Sequence, residues 1–305
     1  MSTFVEIDPS EYDKDAFAGF DASTSDFRIG NARALMWLSQ LAYEAHRKDT
    51  VEEVALKKWG FTFAGRFVRP KTSVENSYET CGIIGERAGA VILAFAGTDP
   101  GVWQNIATDA AVLPRTNSDI HDGFRSAAEA ASGDIDNAVE RVKASQKPLF
   151  IAGHSLGATL AALAAVQTAA NGSPPRAVYG FGMPRVGGEQ FRANYGDLGK
   201  ITYRLVHGID LVARVPPSVT GFRHVGRVLQ CKAGAKFDDA RPLVDTDEPL
   251  FSRQLSGNVR RFIGNLLAGR ILSPVGPGSF APVFQFIPPG IRDHLQDSYW
   301  KALTP

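Results

Sequence analysis

Apolar and polar positions along the chain change period repeatedly, and the order of those changes predicts an α/β domain. In GNARALMWLSQLAYEAH, Ala34, Leu35, Leu38, Leu41, Ala42 and Ala45 recur at helical spacing, which predicts an amphipathic helix. FTFAGRFVRP predicts a strand, and YETCGIIGERAGAVILAFAGT predicts two strands joined by a tight glycine-containing turn. The second of these is the continuous apolar run from Ala90 to Phe95, a pattern suited to a strand covered on both faces. A helix is expected over about 123–145, then the apolar strand KPLFIAG, then LGATLAALAAVQTAA as a helix rich in Ala and Leu. RAVYGFG and ITYRLVHG predict further strands.

Strands alternating with helices imply a mostly parallel central sheet flanked by helices. Residues 1 to about 27 are expected to form a polar lead-in, and the connection over 232–285 does not fit the alternation. The length of 305 residues is compatible with a single domain over 1–305 that buries a sizeable core.

Composition narrows the function classes. Hydrophobic residues make up 44% and charged residues 21% of the chain, which is globular usage. The 33 Lys and Arg nearly balance the 32 Asp and Glu, so no electrostatic case exists for a nucleic-acid partner. Two cysteines, Cys81 and Cys231, make neither a disulfide scaffold nor a C-x-x-C metal or redox spacing. The start MSTFVEIDPSEYDKDAFAGFDAS is acidic, without the apolar core of a signal peptide, and no apolar run reaches the ~18 residues of a membrane span. A soluble protein is expected, cytoplasmic unless exported by another route.

The chemistry concentrates at Gly153-His154-Ser155-Leu156-Gly157. Five residues of the form G-x-S-x-G are a weak signal alone, but here they join a buried strand to a helix. A serine hydroxyl must be exposed, aligned and relieved of its proton before it attacks. A sharp strand-to-helix turn supplies exposure and aims a helix N-terminus at the charge forming beside it. Such a turn is crowded, and Gly153 and Gly157 remove the side chains that would collide. Ser155 is therefore the candidate nucleophile. The bland alternative is a serine capping an ordinary helix.

With GHSLG, the segments AVILAFAGT, HDGF, VYGFGMPRVGG, YRLVHGIDLVARVPP, GFRHVG and DHLQDSYW make the chain resemble the class 3, or fungal-type, lipases. The resemblance runs from about Ala32 to Trp300, and Ala96 departs from it where the family often has Arg before Gly-Thr. It implies the α/β-hydrolase fold with a lid segment, to which the residues over 232–285 add an expected helical insertion, and a carboxylic-ester hydrolase that needs no metal or organic cofactor. In that fold the triad acid and base follow the nucleophile in the order Ser, Asp or Glu, His.

Asp210, beyond the strand ITYRLVHG, is the leading acid, with Asp197 its rival. His294, in the loop-to-helix segment PPGIRDHLQDSYW, is the leading base. His224 is the rival, but it lies in GFRHVGRVLQ, which reads as a strand and presents a side chain less freely than a loop does. His154 is expected to pack within the elbow, His121 to be structural and His207 to face a strand neighbour.

The backbone N–H of Leu156 is one expected oxyanion donor, and the resemblance places the second at Thr98. It also makes 99–116 the lid over an acyl pocket, with Trp103, Ile106 and Leu113 on its apolar face. An ordinary core-packed helix would show the same face. In the insertion over 232–285, Phe251, Leu255, Val259, Phe262 and Leu266 mark one helical face among Arg253, Arg260, Arg261 and Arg270. That face would suit a cap, a membrane-surface helix or simple packing on the domain.

The substrate expected is an acylglycerol, most of all a triacylglycerol, or another lipid ester, with transient contact at a lipid interface. The alternatives are a phospholipase A, a short-chain esterase, an acyltransferase with the same triad, or a non-catalytic binding protein on the same fold.

Overall fold

The structure is a computed structural model that describes residues 6–70, 79–97, 119–120, 122–240, 243–244 and 289–305. Seven strands form one sheet in chain order: β1 Phe63–Pro70, β2 Glu79–Arg87, β3 Ala90–Phe95, β4 Leu149–His154, β5 Ala177–Phe181, β6 Thr202–His207 and β7 Arg227–Cys231. The pairs β1–β2 and β2–β3 are antiparallel, and every pair from β3 to β7 is parallel. The mixture follows from the connections. Two residues, Ala88 and Gly89, both at positive φ, turn β2 back into β3, whereas each parallel step crosses over outside the sheet.

Both faces of the sheet are covered, which explains why β3 is apolar at every position. In β3, Ala90, Ile92 and Ala94 join the core on one face, while Val91, Leu93 and Phe95 join the core on the other. The first core receives helix α1 (Ile29–Tyr43), the chain before it and the C-terminal helix α8 (Gln296–Leu303). The second receives α3 (Asp122–Ala130), α4 (Ser132–Ser145) and α5 (Leu156–Ala170). Shorter helices are α2 (Lys48–Val51), α6 (Glu189–Tyr195) and α7 (Pro289–Arg292). No helix among the described residues is long and apolar enough to cross a membrane.

Four expectations change. The expected lead-in is part of the core: Tyr12, Ala16 and Phe17 are buried, and Phe17 meets Trp59 and Phe61 at ring-centroid distances of 5.3 and 5.1 Å. Aspartates and serines around these three residues mask the apolar positions in a composition reading. Helix α1 is not amphipathic but enclosed. Asn31, Ser39 and Gln40 are buried along with its apolar face, because α8 covers its far side and Trp300 stacks on Trp37 at 4.7 Å. The helix expected over 123–145 is two helices that meet at Ala131. His224 lies before β7 rather than within a strand. Of the segment 232–285, the described start packs on the domain, with the Phe237 N–H donating to the Ala302 carbonyl at 2.9 Å.

Candidate active site

Strand β4 ends at His154 and helix α5 begins at Leu156, so Ser155 alone makes the turn. Its backbone stands at φ 63°, ψ −129°, one of three non-glycine residues at positive φ among those described. Such a conformation costs of the order of 1–3 kcal/mol and persists only where the surroundings impose it. They do so here. The Ser155 N–H donates to the Phe181 carbonyl at 2.8 Å, and its own carbonyl accepts from Ala158 at 3.0 Å.

The flanking glycines are steric necessities. A Cβ on Gly153 would fall on the Gly157 carbonyl, and one on Gly157 would stand 2.5 Å from the carbonyl oxygens of both Phe95 and Ala96. Strand β4 and helix α5 can approach β3 this closely only without those carbons.

Residues from three distant parts of the chain meet at the turn. His294 Nε2 lies 2.8 Å from Ser155 Oγ, and His294 Nδ1 lies 2.9 and 3.0 Å from the two carboxylate oxygens of Asp210. Asp210 sits in the turn just beyond β6, where the Val212 and Ala213 N–H groups donate to Oδ1 at 2.8 and 3.3 Å. The Tyr299 hydroxyl donates to Oδ2 at 2.5 Å. Complete burial pushes the Asp210 carboxyl up, but His294, through its charge and hydrogen bond, and then Tyr299 outweigh it and hold the acid below its ordinary value. Burial first, then the Asp210 charge, pushes the Tyr299 hydroxyl well above the usual tyrosine value, so it remains a donor. Asp210 is therefore an ionised acceptor, able to fix Nδ1 of His294 as the protonated nitrogen and leave Nε2 to face the serine.

Two further residues hold this arrangement. His154 Nε2 lies 2.8 Å from the His294 carbonyl, and His154 Nδ1 lies 2.8 Å from the Tyr43 hydroxyl. A carbonyl can only accept, so Nε2 carries the ring proton and Nδ1 accepts from Tyr43. Burial, with the neighbouring His294 charge second, pushes His154 down to about 3, which keeps this neutral tautomer. Gly182, at φ +61°, faces the acid and base directly. A Cβ there would stand 2.7 Å from Asp210 Oδ2 and 2.8 Å from His294 Cε1.

Ser155, Asp210, His294 and Leu156 are thus brought to one place. Leu156 opens α5, so its N–H lies beside Ser155 at the positive end of the helix dipole. Thr98, Trp103, Ile106 and Leu113, the lid over 99–116 and His121 lie outside the described residues. The rivals are elsewhere: Asp197 is exposed and pairs with Lys200 at 2.7 Å, and burial drives His224 well below its ordinary value beside Arg204 and Arg185. His207 lies opposite Cys231 of the neighbouring strand β7. Its ring packs edge-on to Tyr299 at 6.1 Å, and its Nδ1 lies 3.5 Å from Asp293. Tyr299 and Gly182 carry no sequence signal of their own, although both lie within the segments that resemble the lipases.

The family described as Lipase (class 3) matches residues 94–220, a span that holds the elbow serine and Asp210. Over that span the chain is similar to the class 3 lipases. A secreted mono- and diacylglycerol lipase of Fusarium solani is 38% identical to this protein over 108 residues, 34% of this chain and 32% of that protein. Secreted mono- and diacylglycerol lipase A of Penicillium cyclopium is 34% identical over 145 residues, 45% of this chain and 46% of its own length. The matches therefore span about a third to a half of these curated relatives. The solved lipase of Rhizopus microsporus var. chinensis superposes with a TM-score of 0.57 at 20% identity, over 78% of this chain and 85% of that one. That likeness establishes the α/β-hydrolase fold.

Proposed function

We propose that this protein is a lipase of the class 3 type, a serine carboxylic-ester hydrolase that cleaves acylglycerols through an acyl-Ser155 intermediate. The observation that carries the reading is the continuous path Ser155 Oγ–His294 Nε2, His294 Nδ1–Asp210, with contacts of 2.8 and 2.9 Å, at a serine held in a strained turn.

In the first half-reaction Ser155 Oγ attacks the ester carbonyl carbon and its proton passes to His294 Nε2. The carbonyl oxygen takes the electron pair and is stabilised by the Leu156 N–H, with Thr98 as the second donor. The tetrahedral species then expels the glycerol alcohol, which receives the proton from His294. In the second half-reaction His294 takes a proton from water, the resulting nucleophile attacks the acyl carbon, and Ser155 leaves with that proton as fatty acid is released. Asp210 stays ionised throughout and steadies the imidazolium. This cycle takes every proton and electron pair it needs from serine, histidine, water and substrate.

Partial glycerides are the first substrates to test, since the relatives of Fusarium solani and Penicillium cyclopium are named mono- and diacylglycerol lipases. Purified protein incubated with mono-, di- and triacylglycerols and with a diacyl phospholipid should release fatty acid from the glycerides, and a fluorophosphonate should label it once, at Ser155. Labelling without release from any glyceride would move the reading to another ester. No labelling of folded protein would refute it.

A further inference from the structure

Away from the triad, three side chains of different chemistry converge at the seam between α1 and β2. His46 lies just beyond the end of α1, and Glu79 and Cys81, two residues apart, project from the same face of β2. His46 Nε2 lies 3.6 Å from Cys81 Sγ and 3.3 Å from Glu79 Oε2, and the three donor atoms all fall within 4.8 Å of one another. The geometry points to a binding site for a divalent transition-metal cation of the zinc class, with Cys81 Sγ, His46 Nε2 and a Glu79 oxygen as its three protein ligands.

The spacing carries the argument. Zinc takes sulfur at about 2.3 Å and nitrogen or oxygen at about 2.0–2.2 Å in tetrahedral array, which sets a sulfur–nitrogen edge of about 3.6 Å and a nitrogen–oxygen edge of about 3.4 Å. Both edges that share His46 already have these lengths. Only the sulfur–oxygen edge remains to be matched, and Glu79, with its side chain 50% accessible, is free to rotate. One thiolate, one imidazole and one carboxylate suit zinc and its neighbours in the transition series rather than magnesium or calcium, which prefer all-oxygen shells.

Access is also suitable. Cys81 is buried at the base, while His46 and Glu79 stand at the surface, so a cation enters from solvent and keeps a water in its fourth position. The scaffold is fixed on both sides. Arg66 donates to the Ala45 carbonyl at 2.8 Å, and the Cys81 carbonyl accepts from Ala96 at 2.9 Å.

The bound cation would tie the end of α1 to the start of β2. Its role is a staple, independent of ester hydrolysis.

Cobalt(II) titration of the metal-free protein, followed by optical absorption, tests the site without reference to activity. The expected result is one cobalt per chain with a thiolate-to-metal charge-transfer band, displaced by zinc, and a higher melting temperature with zinc present. Cys81→Ser should remove the band. His46→Gln, at a side chain 46% exposed and so tolerated by the fold, should weaken binding at least tenfold, since even outer-shell partners are worth about 10–100-fold. Cys231→Ser should leave both unchanged. Absence of a thiolate band, or a band that survives Cys81→Ser, would overturn the proposal.

Discussion

Replacing Tyr299 by Phe removes one hydroxyl and keeps the ring. That ring packs against His154, Phe181, His207 and Phe237 at centroid distances of 5.6 to 6.3 Å, contacts that Phe can preserve. The lost oxygen has two partners. It donates to Asp210 Oδ2 at 2.5 Å and accepts from the His207 N–H at 3.3 Å. A hydrogen bond to a charged group is worth about 1.5–3 kcal/mol, and a buried donor left without an acceptor costs about 1–3 kcal/mol. The second contact is long, so the total lies near 3 kcal/mol, or a fall in melting temperature of about 5 °C for a chain of this size.

The effect on turnover is smaller, because the Val212 and Ala213 N–H groups still hold Asp210. About 1.4 kcal/mol of weakened support for the imidazolium gives a tenfold fall in kcat. KM should not move, since Tyr299 is fully buried and cannot touch substrate. Steady-state kinetics on a soluble ester, fluorophosphonate labelling rates and thermal melts on the same preparation measure all three. A melting temperature that falls as expected while kcat stays within twofold would refute the claim that Tyr299 acts through Asp210.

Ser155→Ala and His294→Ala should each lower kcat by at least about 10⁴-fold, and the double variant should lose little more, because the residues act as one unit; additive losses in a double-mutant cycle would contradict the relay. Gly182→Ala should lower kcat by more than about 100-fold, since its Cβ meets Asp210 and His294 within 2.8 Å. Gly172→Ala, at φ +77° with nothing within 4 Å, should only lower stability, by the ~1 kcal/mol of backbone strain. Equal kinetics for the two variants would refute the steric argument. His154, held down to about 3 against an ordinary 6.5, stays neutral in the folded protein while the unfolded chain takes up a proton. Its contribution is therefore complete above pH 6.5, declines as pH falls from 6.5 toward 3, and levels off below that. Denaturation midpoints across this window should fall by less in His154→Asn than in the unsubstituted protein; parallel curves would show that His154 is not the group responsible.

Local pattern was sufficient wherever a residue's role depends on its immediate neighbours. The apolar run Ala90–Phe95 declared a strand covered on both faces, and two glycines around Ser155 declared a crowded strand-to-helix turn, because period and steric bulk are properties of adjacent positions. The fold order of acid and base pointed to Asp210 and His294 but left Asp197 and His224 as rivals. Separating them required distances across 84 and 139 residues of chain, which no local pattern encodes. Tyr299 beneath Asp210, the His154 ring locked between Tyr43 and the His294 carbonyl, and Tyr12 and Phe17 drawn into the core from a polar-looking segment were decided by packing alone. The physical reason is the same in each case. Burial and hydrogen-bond partners are set by which elements stack together, and that stacking exists only once the sheet has closed against its two helical layers.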